Sequence, residues 1–427
     1  MTSALEQTGF AAASAALGQV LGDTPWLAAL RAEAAATADR LAMPDPHRER
    51  PWKYLDITGL DLSGYRPGLA APSKQSATAL RERFGLSGAA ATLVQLNSET
   101  VLAEQSEGVT IRDFADARSV VQPYLGKQVA PGRSKLTALH YAFLRGGVIV
   151  EAAPNAEVAG HVRIVRSYED GGQLAAPHTL IVTGANSRVS IVEDFRSSDE
   201  DILVLPVVEV VPGPGSEVRY TVLHRWGANT RVFSEQRMLG DRDSAFVGLS
   251  VVTGGRVVKV HQTSSLEGRG SSSELYGLCV GNDHQHVDFY TLQDHVGPDT
   301  RSDLLFKSAL TEESRSVYYG LTRVGLGARN ADANQENRNL LLSKTAKADS
   351  DPVLEILTNN IIRCSHGATV GPVDEEQLFY LQARGIPRFE AEALLVSGYL
   401  AQVLDRVPDE TLRDELTAIL EARLGDR

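Results

Sequence analysis

Cysteine is nearly missing from this chain: two residues, Cys279 and Cys364, in 427. That excludes a disulfide scaffold and fits a reducing compartment. No run of about 18 apolar residues occurs, which excludes a membrane-spanning helix. The opening stretch, MTSALEQTGFAAASAALGQVLGD, has no basic leading segment and carries Glu6, so a cytoplasmic location is expected. Basic clusters are also missing, and the net charge is −12. Nucleic acid is therefore excluded as the main partner, because phosphate binding needs grouped Lys and Arg. There is no G-x-x-x-x-G-K-[ST] loop, no G-x-S-x-G elbow and no dinucleotide fingerprint between a strand and a helix.

Helical periodicity is lacking across the middle of the chain. From Leu136, short Val/Ile/Leu runs such as HTLIVTGANSRVSIVEDF and DILVLPVVEVVPGPGSEVRYTVLHRW alternate with Gly, Pro and Asn. A doubly wound α/β fold needs crossover helices of about 10–15 residues, and none fits. Sandwich, propeller and parallel β-helix are left. No fixed blade period of about 40 residues is visible, and the strand–corner–strand cadence favours the β-helix.

The ends read as helical. Pro25 suits the first position of a helix running to about Leu41, with Thr24 as its N-cap. The stretch from Met43 to Asp61 is proline-punctuated, and residues 76–86 form another helix candidate. After Val373 the chain turns helical again. Asp374 caps a first helix, with Gln377 completing a capping box, and Gly385 ends it. A second starts near Pro387 and a third at Asp409. Three apolar helices need a surface to pack on, either their own β-domain or a partner.

Two groups carry candidate chemistry. In Cys364-Ser365-His366, thiolate and imidazole stand two apart and would share one face of a strand. Both are ligands for zinc and iron, yet two protein ligands do not complete a tetrahedral site, so further ligands would come from another chain. The plainer reading makes Cys364 a small buried hydrophobe and His366 a turn residue. The other group, His284, His286 and Asp288 with His295 nearby, would place three ligand types on one strand face. Its plainer reading is hydrogen-bonded histidines of a β-domain.

The words RERPWKYLDIT, LLLSKTAKADSDPVLEIL, RCSHGATVGPVDEEQLFYLQARGI and EAEALLVSGYL resemble the SufB/SufD family of iron–sulfur cluster assembly proteins. The resemblance is strong from about His284 to Leu404 and moderate from Leu136 to Gly281. Before residue 130 it rests on the first word. It lies on the SufD side, because Leu340–Ile356 lacks the functional cysteine of SufB, and HGATVGPV replaces the HEATTSKI of SufB.

The resemblance implies a mainly β fold: a right-handed parallel β-helix over residues 131–373, an N-terminal helical region with a short β-containing segment over 1–130, and a C-terminal helical region over 374–427. It implies a non-enzymatic scaffold that pairs with a SufB-like paralogue along the core. A SufC-like ABC ATPase would dock on the C-terminal helices at Glu376, Leu378, Phe379, Leu381, Gly385, Leu394, Leu395 and Tyr399. His366, with Cys364 as the weaker candidate, would help form a transient Fe–S cluster shared with the paralogue, and no cofactor would stay on the isolated chain. Alone, the chain could self-pair as a homodimer. A β-helix carbohydrate-active enzyme and a purely structural β-solenoid are the competing readings.

Overall fold

The structure is a computed structural model that describes residues 5–68, 75–86 and 88–425. Two sheets of twelve and ten strands form a β-solenoid of about eight turns. The chain lays one strand in each sheet per turn, and the ladders of the solenoid are parallel; the exceptions are the antiparallel pairs near its start. In the twelve-stranded sheet Val257 faces His286, and His286 faces Arg315, an advance of 29 residues each time.

The corners explain why this sequence coils. Asn186, Gly215, Asp243, Gly270, Asp299 and Asn330 occupy one corner in successive turns, all with φ between 56° and 74°. Only Gly, Asn and Asp adopt that left-handed conformation cheaply. The backbone N–H of each donates to a carbonyl of the next turn: Asn186 to Pro214, Asp243 to Arg269, Asn330 to Asn360. A corner ladder thus continues the strand ladders.

Between the sheets, alternate residues stack in an apolar interior that includes Val218, Val260, Phe289, Leu304 and Phe306. Toward the last turns this interior becomes polar. Thr322 Oγ1 lies 2.8 Å from Gln293 Oε1 and 2.9 Å from Gln335 Oε1, and Asn337 and Asn339 are buried beside them.

The helical ends cover opposite outer faces. Helices Leu5–Leu21, Pro25–Arg40 and Lys135–Ala142 pack Phe10, Leu17, Ala34 and Leu139 against Leu180, Leu203 and Phe233 of the twelve-stranded sheet. Arg31, buried here, pairs with Asp23 at 2.7 Å and donates to the carbonyls of Ala142 and Leu144. On the ten-stranded sheet, helices Arg388–Leu404 and Glu410–Gly425 bury Val396, Leu400, Leu416 and Leu420 against Leu249, Leu278 and Leu305. Two of the three C-terminal helices therefore pack on the chain's own β-domain.

Local expectations hold with four corrections. Asp374 caps its helix by accepting from the backbone of Glu376 and Gln377, but the Gln377 side chain does not return a bond to complete a capping box. The stretch Lys135–Ala142 is a helix closed by a Ser134–Thr137 capping box, not the start of the β texture. Thr24 is the N-cap residue by backbone geometry, but its side chain makes no capping bond. Pro387 is the N-cap of its helix and not its first residue.

Candidate functional site

The last strand, Ile361–Pro372, is the free edge of the ten-stranded sheet. It is bonded on one side to Ala331–Leu341, with Cys364 opposite Ala333 and His366 opposite Gln335. Ala333, Gln335 and Asn337 are the inward residues of that neighbour. Cys364 and His366 therefore share the inward row at the open end of the solenoid. Cys364 is half-buried against Val324, Ala328 and Ala331, and burial pushes its thiol up. His366 is exposed.

Apolar side chains rim this end. Ile362 is 68% exposed, and Ile356, Leu357 and Val370 are exposed as well. The edge of the other sheet, Lys347–Ile356, differs in one respect: it carries Pro352, which has no N–H to offer an added strand. The strand with Cys364 and His366 keeps its donors up to Pro372. Among the described residues no group of three or more His, Cys, Asp or Glu gathers as a metal site. Cys364 and His366 thus stand on an open edge with no third His, Cys, Asp or Glu gathered beside them among the described residues.

The other histidine group does not converge. His284 stands in the exposed turn before the strand His286–His295, beside Asp283 and Glu313. His286 is on the outer face, where burial lowers its imidazole to about 4. Asp288 is buried and pairs with Lys259 at 2.7 Å. His295 points inward, its ring nitrogens each 2.8 Å from a hydroxyl, Thr300 and Ser302. A shared strand face was expected for His284, His286 and Asp288, but the turn takes His284 out of register.

The expected docking residues fall in three environments. In helix Glu375–Gln382, Asp374 accepts from the backbone of Glu376 and Gln377, and Gly385 follows at φ +86°. Glu376 and Phe379 are exposed, Leu381 is half-buried, and Leu378 is buried within the chain. On the next helix Leu394 is exposed and Leu395 half-buried. Tyr399 faces the solenoid: Lys307 Nζ lies 4.2 Å from its ring and donates to its carbonyl at 2.6 Å. Burial at this contact lowers Lys307 to about 8. Phe379 and Tyr380 on the helix Glu375–Gln382, and Phe389 and Leu394 on the next, are each more than half exposed.

The block RERPWKYLDIT forms a strap over the outer face of the twelve-stranded sheet. Trp52 is buried between Phe233 and His261, with Lys259 Nζ 4.8 Å from its ring. Lys259 donates to Pro51 O at 2.6 Å. Lys53 and Tyr54 reach Asp351 on the last strand of that sheet.

A second tie was not foreseen from the sequence. His140 Nδ1 lies 2.7 Å from the carbonyl of Leu205, which only accepts, so His140 donates there. His140 Nε2 then accepts from His178 Nδ1 at 3.1 Å, and His178 Nε2 sits 3.2 Å from Glu209. Burial, reinforced by His178, holds His140 well below its ordinary value and thus neutral.

Comparison with known proteins agrees with this architecture. The family model described as SUF system FeS cluster assembly, SufBD core domain, matches residues 165–399. The chain is 28% identical over 421 residues to the iron-sulfur cluster assembly protein SufD of Bacillus subtilis, covering 93% of this chain and 94% of that protein. It is 28% identical over 354 residues to an iron-sulfur cluster assembly SufBD family protein of Mycobacterium tuberculosis, covering 81% and 87%. A SufBD family protein of Pyropia yezoensis is 27% identical over 332 residues, covering 74% and 66%. Open edge, solenoid and matched core together place this chain in the SufBD family of iron–sulfur cluster assembly proteins.

Proposed function

We propose that this chain is a SufD-type, non-enzymatic scaffold subunit on whose open solenoid end an iron–sulfur cluster is assembled jointly with a SufB-like paralogue. The observation that carries the reading is the edge strand Ile361–Pro372, which holds Cys364 and His366 in one row and has a free backbone side. A second chain adding a strand there would satisfy the unpaired N–H and C=O groups and bring further ligands to the pair. The rim of Ile356, Leu357, Ile362 and Val370 supplies apolar surface for that contact. In isolation the same edge suits a second copy of this chain.

His366 is the working ligand in this reading and Cys364 its weaker companion. The half-buried thiol must lose its proton before it binds iron, which costs affinity at neutral pH. The cluster is transient and shared, so none stays on the isolated chain. A SufC-like ATPase docks at Phe379 and Tyr380, on the helix that directly follows the edge strand, and at Phe389 and Leu394 on the next. Among the described residues no helix is long and apolar enough to cross a membrane, and the reading places the complex in the cytoplasm.

The test is co-expression with a SufB-like paralogue and a SufC-like ATPase, followed by size-exclusion chromatography. A three-component complex is expected. Ile362→Lys with Val370→Lys should release the paralogue while leaving unfolding of the isolated chain unchanged. A complex that forms equally well with this double variant removes the edge strand from the reading. No complex at all would leave a purely structural solenoid.

A further inference from the structure

Between the N-terminal helices and the first solenoid turn lies a cavity of about 390 Å³, far from the open end in the order of turns. Its walls are Leu21, Trp26, Leu27, Phe114 and Leu144. Gly147 makes the Phe114 wall possible: a Cβ there would come within 2.1 Å of the Phe114 ring. Three arginines line the cavity: Arg31, which is taken up by Asp23 and by the carbonyls of Ala142 and Leu144, and Arg118 and Arg145.

The charges around it are unequally engaged. Asp23 is committed to Arg31 at 2.7 Å. Asp113 accepts from Thr100 at 2.9 Å and from the backbone of Ala115 at 2.9 Å. Glu99 is 3.8 Å from Arg145, a long contact that leaves the guanidinium weakly paired. Arg145 also donates to Gly68 O. Among the described residues, Arg118 makes one bond, to Gly22 O at 2.9 Å. Each guanidinium has five N–H donors in a planar fork, so both keep donors in reserve. The remaining carboxylate, Asp116, is exposed.

An aromatic and aliphatic cleft of this size, with a few polar groups at one side, is the form that small-molecule sites take. Trp26 and Phe114 suit a flat apolar body, and the forks of Arg118 and Arg145 suit a planar or tetrahedral acid. We propose that this cavity binds a small molecule with a flat apolar body and a single acidic group. Carboxylate and phosphate share the chemistry that the two arginines recognise.

Isothermal titration of the full-length chain with 2-naphthoate, 2-naphthyl phosphate and uncharged 2-naphthamide tests it. One site is expected, with at least one of the two acids bound about tenfold or more tighter than the amide, since charge-assisted bonds carry the difference. The tighter acid identifies the group that the site prefers. Arg118→Gln and Leu27→Trp, one removing a fork and one filling the cleft, should each weaken that acid about tenfold. Phe379→Ser, on the remote helix Glu375–Gln382, should leave it unchanged. If Leu27→Trp unfolds the chain, Arg118→Gln carries the test alone, because Arg118 is partly exposed and has one bond to lose. Equal binding of acid and amide overturns the proposal, as does no binding, or binding that responds to Phe379→Ser and not to Arg118→Gln.

Discussion

Tyr54 and Asp351 are 297 residues apart in the chain, and their side chains are hydrogen-bonded at 3.1 Å. The bond closes a strap. It starts at the buried Trp52, crosses the outer face of the twelve-stranded sheet and ends on the edge strand Lys347–Ile356. The N-terminal region is thereby fastened to the turn that bears the open end. Tyr54→Phe should cost about 1 kcal/mol, the usual net worth of such a bond. Denaturant unfolding reads the loss, and amide exchange should quicken along Lys347–Ile356. Unchanged exchange there would mean that the strap does not steady the edge.

Glu209 ties the loop at Gly126–Val129 to the solenoid, accepting from the backbone of Gly126, Gln128 and Val129 at 2.7–3.0 Å. Burial alone would raise its carboxyl. The bond and charge of His178, with the backbone donors, outweigh burial and hold it below the ordinary carboxylate range. A folded value below the unfolded one means that the folded chain binds fewer protons. The stabilisation is therefore present above about pH 4.5 and lost as pH falls through the folded value. Glu209→Gln should cost about 3 kcal/mol at pH 7, as removal of one partner of a buried pair does. Its deficit against the parent should shrink toward pH 3.5 in urea unfolding; a deficit that stays constant with pH contradicts the assignment.

The two cysteines should differ in reactivity. Cys279 is fully buried in the apolar interior, and burial pushes its thiol up to about 12. Cys364 is half-buried with a thiol raised to a smaller degree. Iodoacetamide at pH 8, followed by mass spectrometry, should label Cys364 slowly and Cys279 only after unfolding. Adding the SufB-like paralogue should slow labelling of Cys364 further. Undiminished labelling in the complex would place the paralogue elsewhere.

Adjacent residues of helix Glu375–Gln382 should separate docking from stability. Phe379 is 73% exposed, and Leu378 is 1% exposed. Phe379→Ser should leave unfolding within about 0.5 kcal/mol of the parent and weaken co-purification of the ATPase. Leu378→Ala should cost about 2–3 kcal/mol, as a buried leucine does. Phe379→Ser with full ATPase recovery would show that the exposed surface serves something else.

The solenoid was legible because its corners demand Gly, Asn or Asp at a near-constant step, and those residues punctuate the Val/Ile/Leu runs. Helix Lys135–Ala142 was not, because every residue from Leu136 to Ala142 is buried and no polar face marks the helical period. His284 was misplaced because Asp283, at φ +53°, holds a turn that the alternation pattern does not reveal. The His140–His178–Glu209 tie was invisible, since residues 38 positions apart meet there through three packed elements. The Cys364–His366 word was legible as a pair on one strand. The alternation rule needs no tertiary knowledge, but the free edge beside it emerges only from the order of strands.

The central claim is that the open end with His366 works as half of a shared assembly site. Anaerobic reconstitution with iron and sulfide, with and without the SufB-like and SufC-like partners, tests it most directly through absorbance and iron counting. The account predicts stoichiometric iron only with the partners, a several-fold fall with His366→Ala and a smaller one with Cys364→Ser. A full cluster on the isolated chain, or an unchanged yield with His366→Ala in the complex, would contradict it.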